Sequence, residues 1–352
     1  MRNPLNDPLV LRIGRSGGLS RRFNPRTSLV LGCAVPLLCL LGLYGVTWGA
    51  PRLDLGDVVR TLTGGGDAGE RLVVGEFVLP RVLCALAVGA ALGLSGALFQ
   101  SYARNPLVSP DILGVNSGAA LVAVGSLVLF GGSWSTLPPG AFLGALTAAL
   151  LAVLCSRGRG LSPYRLVLVG IGVDALCRAG VAFALVQGDI GQVQAATVWM
   201  IGSLYGADSD RALFLGVLLA LLVPAALALR RPLVALRLGE EAARSVGVRT
   251  TATRAAALVV ATLLAAGAVA VCGPVAFVAF LAPHLARRLC RADTPEVLPV
   301  AMAVGAALVL GSDLLAQHAL PVVVPLGVVT PLLGGPYFLY LLIRANRHGE
   351  VA

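Results

Sequence analysis

Apolar stretches of about 20 residues recur from end to end of this chain, each closed by a short polar or proline- and glycine-rich segment. A run of that length, coiled as a helix rising 1.5 Å per residue, crosses a hydrocarbon core of roughly 30 Å. The pattern predicts ten spans, at about 28–49, 80–101, 112–131, 139–156, 164–186, 211–230, 254–272, 275–290, 297–316 and 325–344. The expected fold class is therefore all-α and polytopic, with about ten transmembrane helices. Pro321, Pro325 and Pro331 blur the start of the last span, because proline interrupts a regular helix. Residues 1–27 hold six arginines and no apolar core, so they read as a tail, with no signal peptide ahead of the first span. The expected layout is this tail, a membrane domain over 28–344 and a second short tail over 345–352.

Composition agrees: 57% of residues are hydrophobic and 12% are charged, where a soluble domain carries about 25% charged residues. Charge then orients the helices. The chain has no lysine, and its 27 basic residues are all arginine. With the N-terminus inside and the spans alternating, 21 arginines fall on the inner side, five on the outer side and one, Arg178, within a span. That asymmetry predicts that both termini are cytoplasmic. The net charge of +10 follows from this orientation, and the arginines do not cluster as a nucleic-acid groove would need.

Several chemistries are excluded. A phosphate-binding G-x-x-x-x-G-K-[ST] loop cannot exist without lysine, so ATP is not hydrolysed here by that route. The seven cysteines (33, 39, 84, 155, 177, 272 and 290) lie in or beside spans with no C-x-x-C, which favours neither a metal site nor a disulfide framework. His284, His318 and His348 show no ligand spacing, and no nucleophile–base pair is visible.

Four polar features remain. The first is the corner Arg104–Asp111, "RNPLVSPD", between the second and third spans, where Pro106 and Pro110 stop helices. Gly114 and Gly118 follow it with small-xxx-small spacing, which recurs at Gly89/Gly93, Gly140/Gly144 and Gly202/Gly206 and permits close helix approach. The second is the long inner loop, about 231–253. There Leu238–Val246 reads as a short helix, with Glu240 and Glu241 at its positive end, an apolar face of Ala242, Ala243 and Val246, and Gly247 as its stop. The third is a set of charges inside spans. Asp174 and Arg178 lie four apart and can pair on one face, either as a self-neutralised structural pair or as a cargo contact. Asp313 has no partner near it in sequence, so any partner must come from another element. The fourth is His284, near the inner end of the eighth span, which reads as structural.

Five ordered blocks, "LPRVLCALAVGAALGLSGALFQ" (79–100), "RNPLVSPDILGVNSGA" (104–119), "LGEEAARSVGV" (238–248), "GPVAFVAFLAPHLAR" (273–287) and "PLGVVTPLLGGPYF" (325–338), resemble the FecCD-type permeases of bacterial ABC importers for ferric siderophores, haem and cobalamin. Within that group "GALFQSYARNPLVSPDILGVNSGA" and "VLVGIGV" look most like ferric enterobactin permease subunits. The resemblance implies a type II ABC importer permease in the bacterial inner membrane. It would not be an enzyme itself and would hold no cofactor. Its partners would be an ATPase dimer that binds the ATP, a second and non-identical permease chain, and an extracytoplasmic binding protein delivering the ferric siderophore.

Residue by residue, the resemblance makes Leu238, Gly239, Glu240, Glu241, Ala243 and Gly247 part of a helix that couples to the ATPase. Asn105, Pro106 and Leu107, with Ser162, Pro163 and Tyr164, resemble a cytoplasmic gate. Arg81 matches one of the arginines that receive the binding protein in cobalamin permeases. Val78 and Gln317 stand where two others would be, and Val324 replaces a glutamate, so a three-arginine clamp is not expected. Gln317 is compatible with the enterobactin-like group. Cobalamin or haem is the alternative cargo. A secondary transporter, with coupling charges near mid-membrane, is a more distant alternative.

Overall fold

The structure is a computed structural model and describes residues 9–13, 19–23, 25–49, 55–132, 137–156, 163–292, 297–319 and 321–347. Within the segment read as a tail, strands β1 (Leu9–Ile13) and β2 (Leu19–Phe23) pair antiparallel, Leu9 opposite Phe23. All other regular elements among the described residues are helical. A helix lies at each of the ten expected spans: α1 (Pro25–Gly49), α4 (Leu79–Ala103), α5 (Val115–Leu129), α6 (Leu137–Ser156), α7 (Pro163–Gln187), α9 (Ser209–Ala228), α12 (Thr250–Cys272), α13 (Val278–Cys290), α14 (Leu298–His318) and α15 (Leu326–Arg347). Between them lie α11 (Glu240–Ser245), within the short helix expected at Leu238–Val246, and helices that the apolar pattern did not mark: α2 (Leu55–Leu62), α3 (Ala68–Leu72), α8 (Ile190–Ile201) and α10 (Arg230–Arg237).

Among the described residues, seven helices are long and apolar enough to cross a membrane; Val115–Leu129 and Leu326–Leu341 are shorter apolar segments. The expected ten therefore include two helices too short to cross alone, α5 with 15 residues and α13 with 13. Each is entered through non-helical backbone. Before α5 come the proline corner, a 3-10 turn at Pro110–Leu113, and Gly114 at φ 74°. Before α13 comes the segment from Gly273 to Phe277, which ends with Phe277 at φ 68°. Irregular backbone at such depth is stable only when protein covers it, since lipid offers no hydrogen bonds. The 3-10 turn is covered: a Cβ added to Gly170 of α7 would sit 2.0 Å from the Ile112 carbonyl oxygen.

Alpha-helical hydrogen bonding runs almost unbroken from Ala68 to Ala103, through a π turn at Val73–Val78. The turn falls just before Pro80, whose missing N–H loosens the ladder there. The windows of α4 and α12 are each 78% buried, against 11% for α1 and α9, so α4 and α12 form the core of the bundle. Packing of α4 is most extensive against α14. A Cβ on Gly89 would lie 2.2 Å from the Gly305 oxygen, and one on Gly305 would lie 2.1 Å from the Gly89 oxygen. The two backbones touch, and dispersion between close backbones holds such helices together where lipid is as apolar as leucine. Of the other small-residue pairs, Gly118 and Gly144 join α5 to α6 in the same way, while Gly140 and Gly206 make no close approach.

Candidate functional site

The arginine-rich end of the bundle carries the inner loop, and its geometry starts from two glycines. Sequence pattern predicted one helix from Leu238 to Val246; the structure divides it. Leu238 closes α10, Gly239 at φ 112° breaks the backbone, and α11 is six residues long. Gly247, at φ 83°, ends the unit as expected. Ala243 is fully buried, whereas Leu238 and Val246 are 76% and 68% exposed. Leu238 and Val246 thus flank α11 as exposed apolar residues, and Ala242 on the helix is exposed as well.

Glu240 fixes the attitude of α11. Its Oε1 accepts from Arg244 at 2.6 Å and from Thr250 Oγ1 at 3.1 Å, and its Oε2 accepts from Arg254 at 3.2 Å. Thr250 and Arg254 belong to the first turns of α12, so α11 is fastened to a core helix. The Thr250 hydroxyl first, then Arg254, hold the Glu240 carboxyl below the usual glutamate range. Glu241 points outward and is exposed.

The corner lies at the same end. Asn105, Pro106 and Leu107 are exposed, and Asn105 Oδ1 accepts from the Leu107 amide at 2.9 Å, stiffening the turn. Tyr164 is 80% exposed at the start of α7. Pro163 opens α7, and Ser162 lies outside the described residues. The corner and the α7 entry meet around a hollow lined by Tyr102, Val108, Ile112, Leu166 and Val167. Sequence reading missed what joins this corner to the inner loop. The Arg104 guanidinium donates to the Leu236 carbonyl of α10. The buried Tyr102 hydroxyl lies within electrostatic reach of Arg254. An arginine before an Asn-Pro corner carries no sequence signal that names a carbonyl 132 residues away.

Along α7 the expected i,i+4 pair forms, Arg178 Nε to Asp174 Oδ2 at 2.7 Å. Asp111 approaches the same stretch, bound by Asn116 Nδ2 at 2.6 Å and Ser109 Oγ at 3.2 Å. Near the arginine-rich end, Arg287 donates to Gln100 Oε1 at 2.6 Å and lies 3.0 Å from His284 Nδ1.

At the opposite end the structure supplies the partner that sequence could not find for Asp313. Arg81 of α4 grips it with two nitrogens, Nε at 3.0 Å and NH2 at 2.9 Å, and Gln317 Nε2 adds 2.7 Å. Val78, Arg81, Asp313 and Gln317 line one pocket of about 110 Å³. The three positions compared with an arginine clamp thus converge, with Asp313 among them.

A profile of the FecCD transport family matches residues 37–344. The chain is 37% identical over 321 residues to the ferric enterobactin transport system permease protein FepG of Escherichia coli (strain K12), covering 91% of this chain and 95% of that protein. It is 38% identical to the achromobactin transport system permease protein CbrC of Dickeya dadantii (strain 3937), covering 96% and 97%. It is 36% identical to the hemin transport system permease protein HmuU of Yersinia pestis, covering 93% and 98%. Among solved structures, it superposes with a TM-score of 0.79 at 29% identity on an ABC transporter assigned to the metal-chelate type, captured inward-facing; the match covers 90% of this chain and 99% of that one.

Proposed function

The chain belongs to the FecCD transport family, and from that membership we propose that it is the permease subunit of an ATP-driven importer for a ferric siderophore of the enterobactin kind. It is an integral membrane protein of the siderophore, haem and citrate ABC importer permeases, with the ATPase and the substrate-binding protein as its partners. In this reading ten segments traverse the inner membrane and both termini are cytoplasmic. A second, non-identical permease chain completes the pathway, ATP is bound only by the partner ATPase, and this chain holds no cofactor. The observation that carries the reading is α11, a short helix fastened by Glu240 to α12 and flanked by the exposed Leu238 and Val246. An ATPase seated on this surface moves α12 directly. Alternating closure at Asn105–Leu107 and Pro163–Tyr164 then admits cargo from one side at a time. Docking of the binding protein at Arg81 belongs to the same reading. An incoming carboxylate has to share that guanidinium with Asp313, which keeps the contact within about 0–1 kcal/mol.

Gly247→Val tests the coupling. Space around Gly247 is open, but its φ of 83° is a conformation a β-branched residue resists. The strain is about 1–2 kcal/mol, roughly ten-fold in any equilibrium that needs the native turn. The expected result is continued ATP hydrolysis by the assembled complex with uptake reduced by about that factor. Parent-level uptake per ATP hydrolysed contradicts it.

Cargo is tested by uptake in a strain that lacks this chain and every other permease of its class. Ferric tris-catecholate, ferric hydroxamate, haem and cobalamin are supplied in turn. The expected loss is confined to the catecholate and is restored by the parent gene. Unimpaired catecholate uptake removes the enterobactin-like assignment. Loss of haem uptake instead supports the second reading, which rests on the likeness to the hemin permease.

A further inference from the structure

We propose that Arg104 is a positioning residue that makes the inner loop and the α4–α5 corner move as one body. The proposal rests on reading α11 as the ATPase's grip and Asn105–Leu107 as gate. Arg104 closes α4 with φ 53°, one of three non-glycine residues among those described with positive φ. A left-handed arginine is strained and persists where its surroundings fix it. Here the fixing contact is the guanidinium on the Leu236 carbonyl. That carbonyl lies in the last turn of α10, where the dipole is negative, so a cation suits its second lone pair beside the bond from Gly239 N.

From Leu236 the path to α11 is short and stiff. Gly239 N donates to Leu236 O at 3.3 Å, and Ala243 N donates to Gly239 O at 3.0 Å. On the other side Arg104 is followed directly by Asn105, whose side chain clamps the Leu107 amide. Displacement of α11 therefore reaches Leu107 through hydrogen-bonded joints with little slack. Tyr102, two residues earlier on α4, lies within electrostatic reach of Arg254 of α12, which itself holds Glu240. The competing explanation is a passive cap on α10, which predicts that losing Arg104 lowers stability and leaves the motion intact.

The test uses the assembled transporter with its ATPase and binding protein in lipid nanodiscs. Labels go on Leu107 and Val246, which are 48% and 68% exposed, with a reference on Tyr205, 82% exposed. On nucleotide binding, the distances to Tyr205 change in the parent while the Leu107–Val246 distance does not. In Arg104→Gln the Leu107–Val246 distance changes, hydrolysis continues, and uptake per ATP falls by roughly ten-fold, the worth of one charge-assisted hydrogen bond. Arg104→Lys, which can still donate, restores part of it. An unchanged Leu107–Val246 distance with parent uptake per ATP in Arg104→Gln overturns the tie. A Val246 label that ignores nucleotide in the parent removes the coupling reading, and the tie with it. Should Arg104→Gln fail to assemble, Arg104→Met, which keeps the length of the side chain and removes its donors, decides the matter by the same two readouts. An unchanged Leu107–Val246 distance with parent uptake per ATP in Arg104→Met overturns the proposal.

Discussion

Gly96→Ala is expected to abolish the folded protein, or to lower its stability by about 3 kcal/mol or more, the upper range for overpacking a filled core. A Cβ at this position would lie 1.7 Å from the Ala279 carbonyl oxygen, 2.6 Å from its carbon and 3.0 Å from its Cα. All three are backbone atoms, so no side chain can rotate away. Gly96 is buried in the C-terminal third of α4, and Ala279 is in the first turn of α13. Relief requires the two helices to separate, yet α4 is also held against α14 at Gly89 and Gly93. Moving α13 instead disturbs the strained entry at Phe277. The matched control is Gly216→Ala in α9, where an added Cβ meets nothing within 4 Å. There the better helix propensity of alanine stabilises by about 1 kcal/mol. Thermal melting of detergent-purified protein, followed by size exclusion, compares the two. Equal melting of Gly96→Ala and parent overturns the close approach of α4 and α13.

How far this architecture can be read from sequence depends on which interaction fixes each part. Burial of apolar length needs no partner to be identified, so every expected span coincides with a helix, α1 to within three residues at its start. The pattern does not tell how much of a span is helical. It marked 275–290, but α13 begins at Val278, because Gly273 and Pro274 favour extended backbone while burial keeps the stretch apolar. The amphipathic or short helices α2, α8 and α10 escaped because a 20-residue window averages them away. Local chemistry was legible where partners are near in sequence: the Asp174–Arg178 pair and the stop at Gly247. Contacts 132 residues apart, as for Arg104, or 232 apart, as for Arg81 and Asp313, depend on helix order in the bundle, which one sequence does not record.

Asp313→Asn shows why that last pairing matters. The Asp313 side chain is 3% exposed and the Arg81 side chain 24%. The carboxylate accepts both guanidinium bonds and one from Gln317. Replacing Asp313 by asparagine keeps the shape and removes the counter-charge, leaving Arg81 charged beside an amide. Removing one member of a buried pair costs about 3–5 kcal/mol, and partial exposure of Arg81 places this case near 3 kcal/mol. The double variant Arg81→Met/Asp313→Leu removes both charges and is expected to recover most of that loss, since an apolar replacement avoids desolvation altogether. Melting of Asp313→Asn at the parent temperature shows that the pair contributes nothing. The same variant bears on docking in the opposite direction. Asp313 neutralises Arg81 within the chain, so its loss leaves a net positive pocket at Val78, Arg81 and Gln317. If the binding protein docks there through a carboxylate, its association rate with Asp313→Asn rises at low salt while stability falls, because rim charges act on encounter rate and are screened by salt. A fall in stability with no change in association rate assigns Arg81 to holding α4 against α14, and moves docking to another part of this surface.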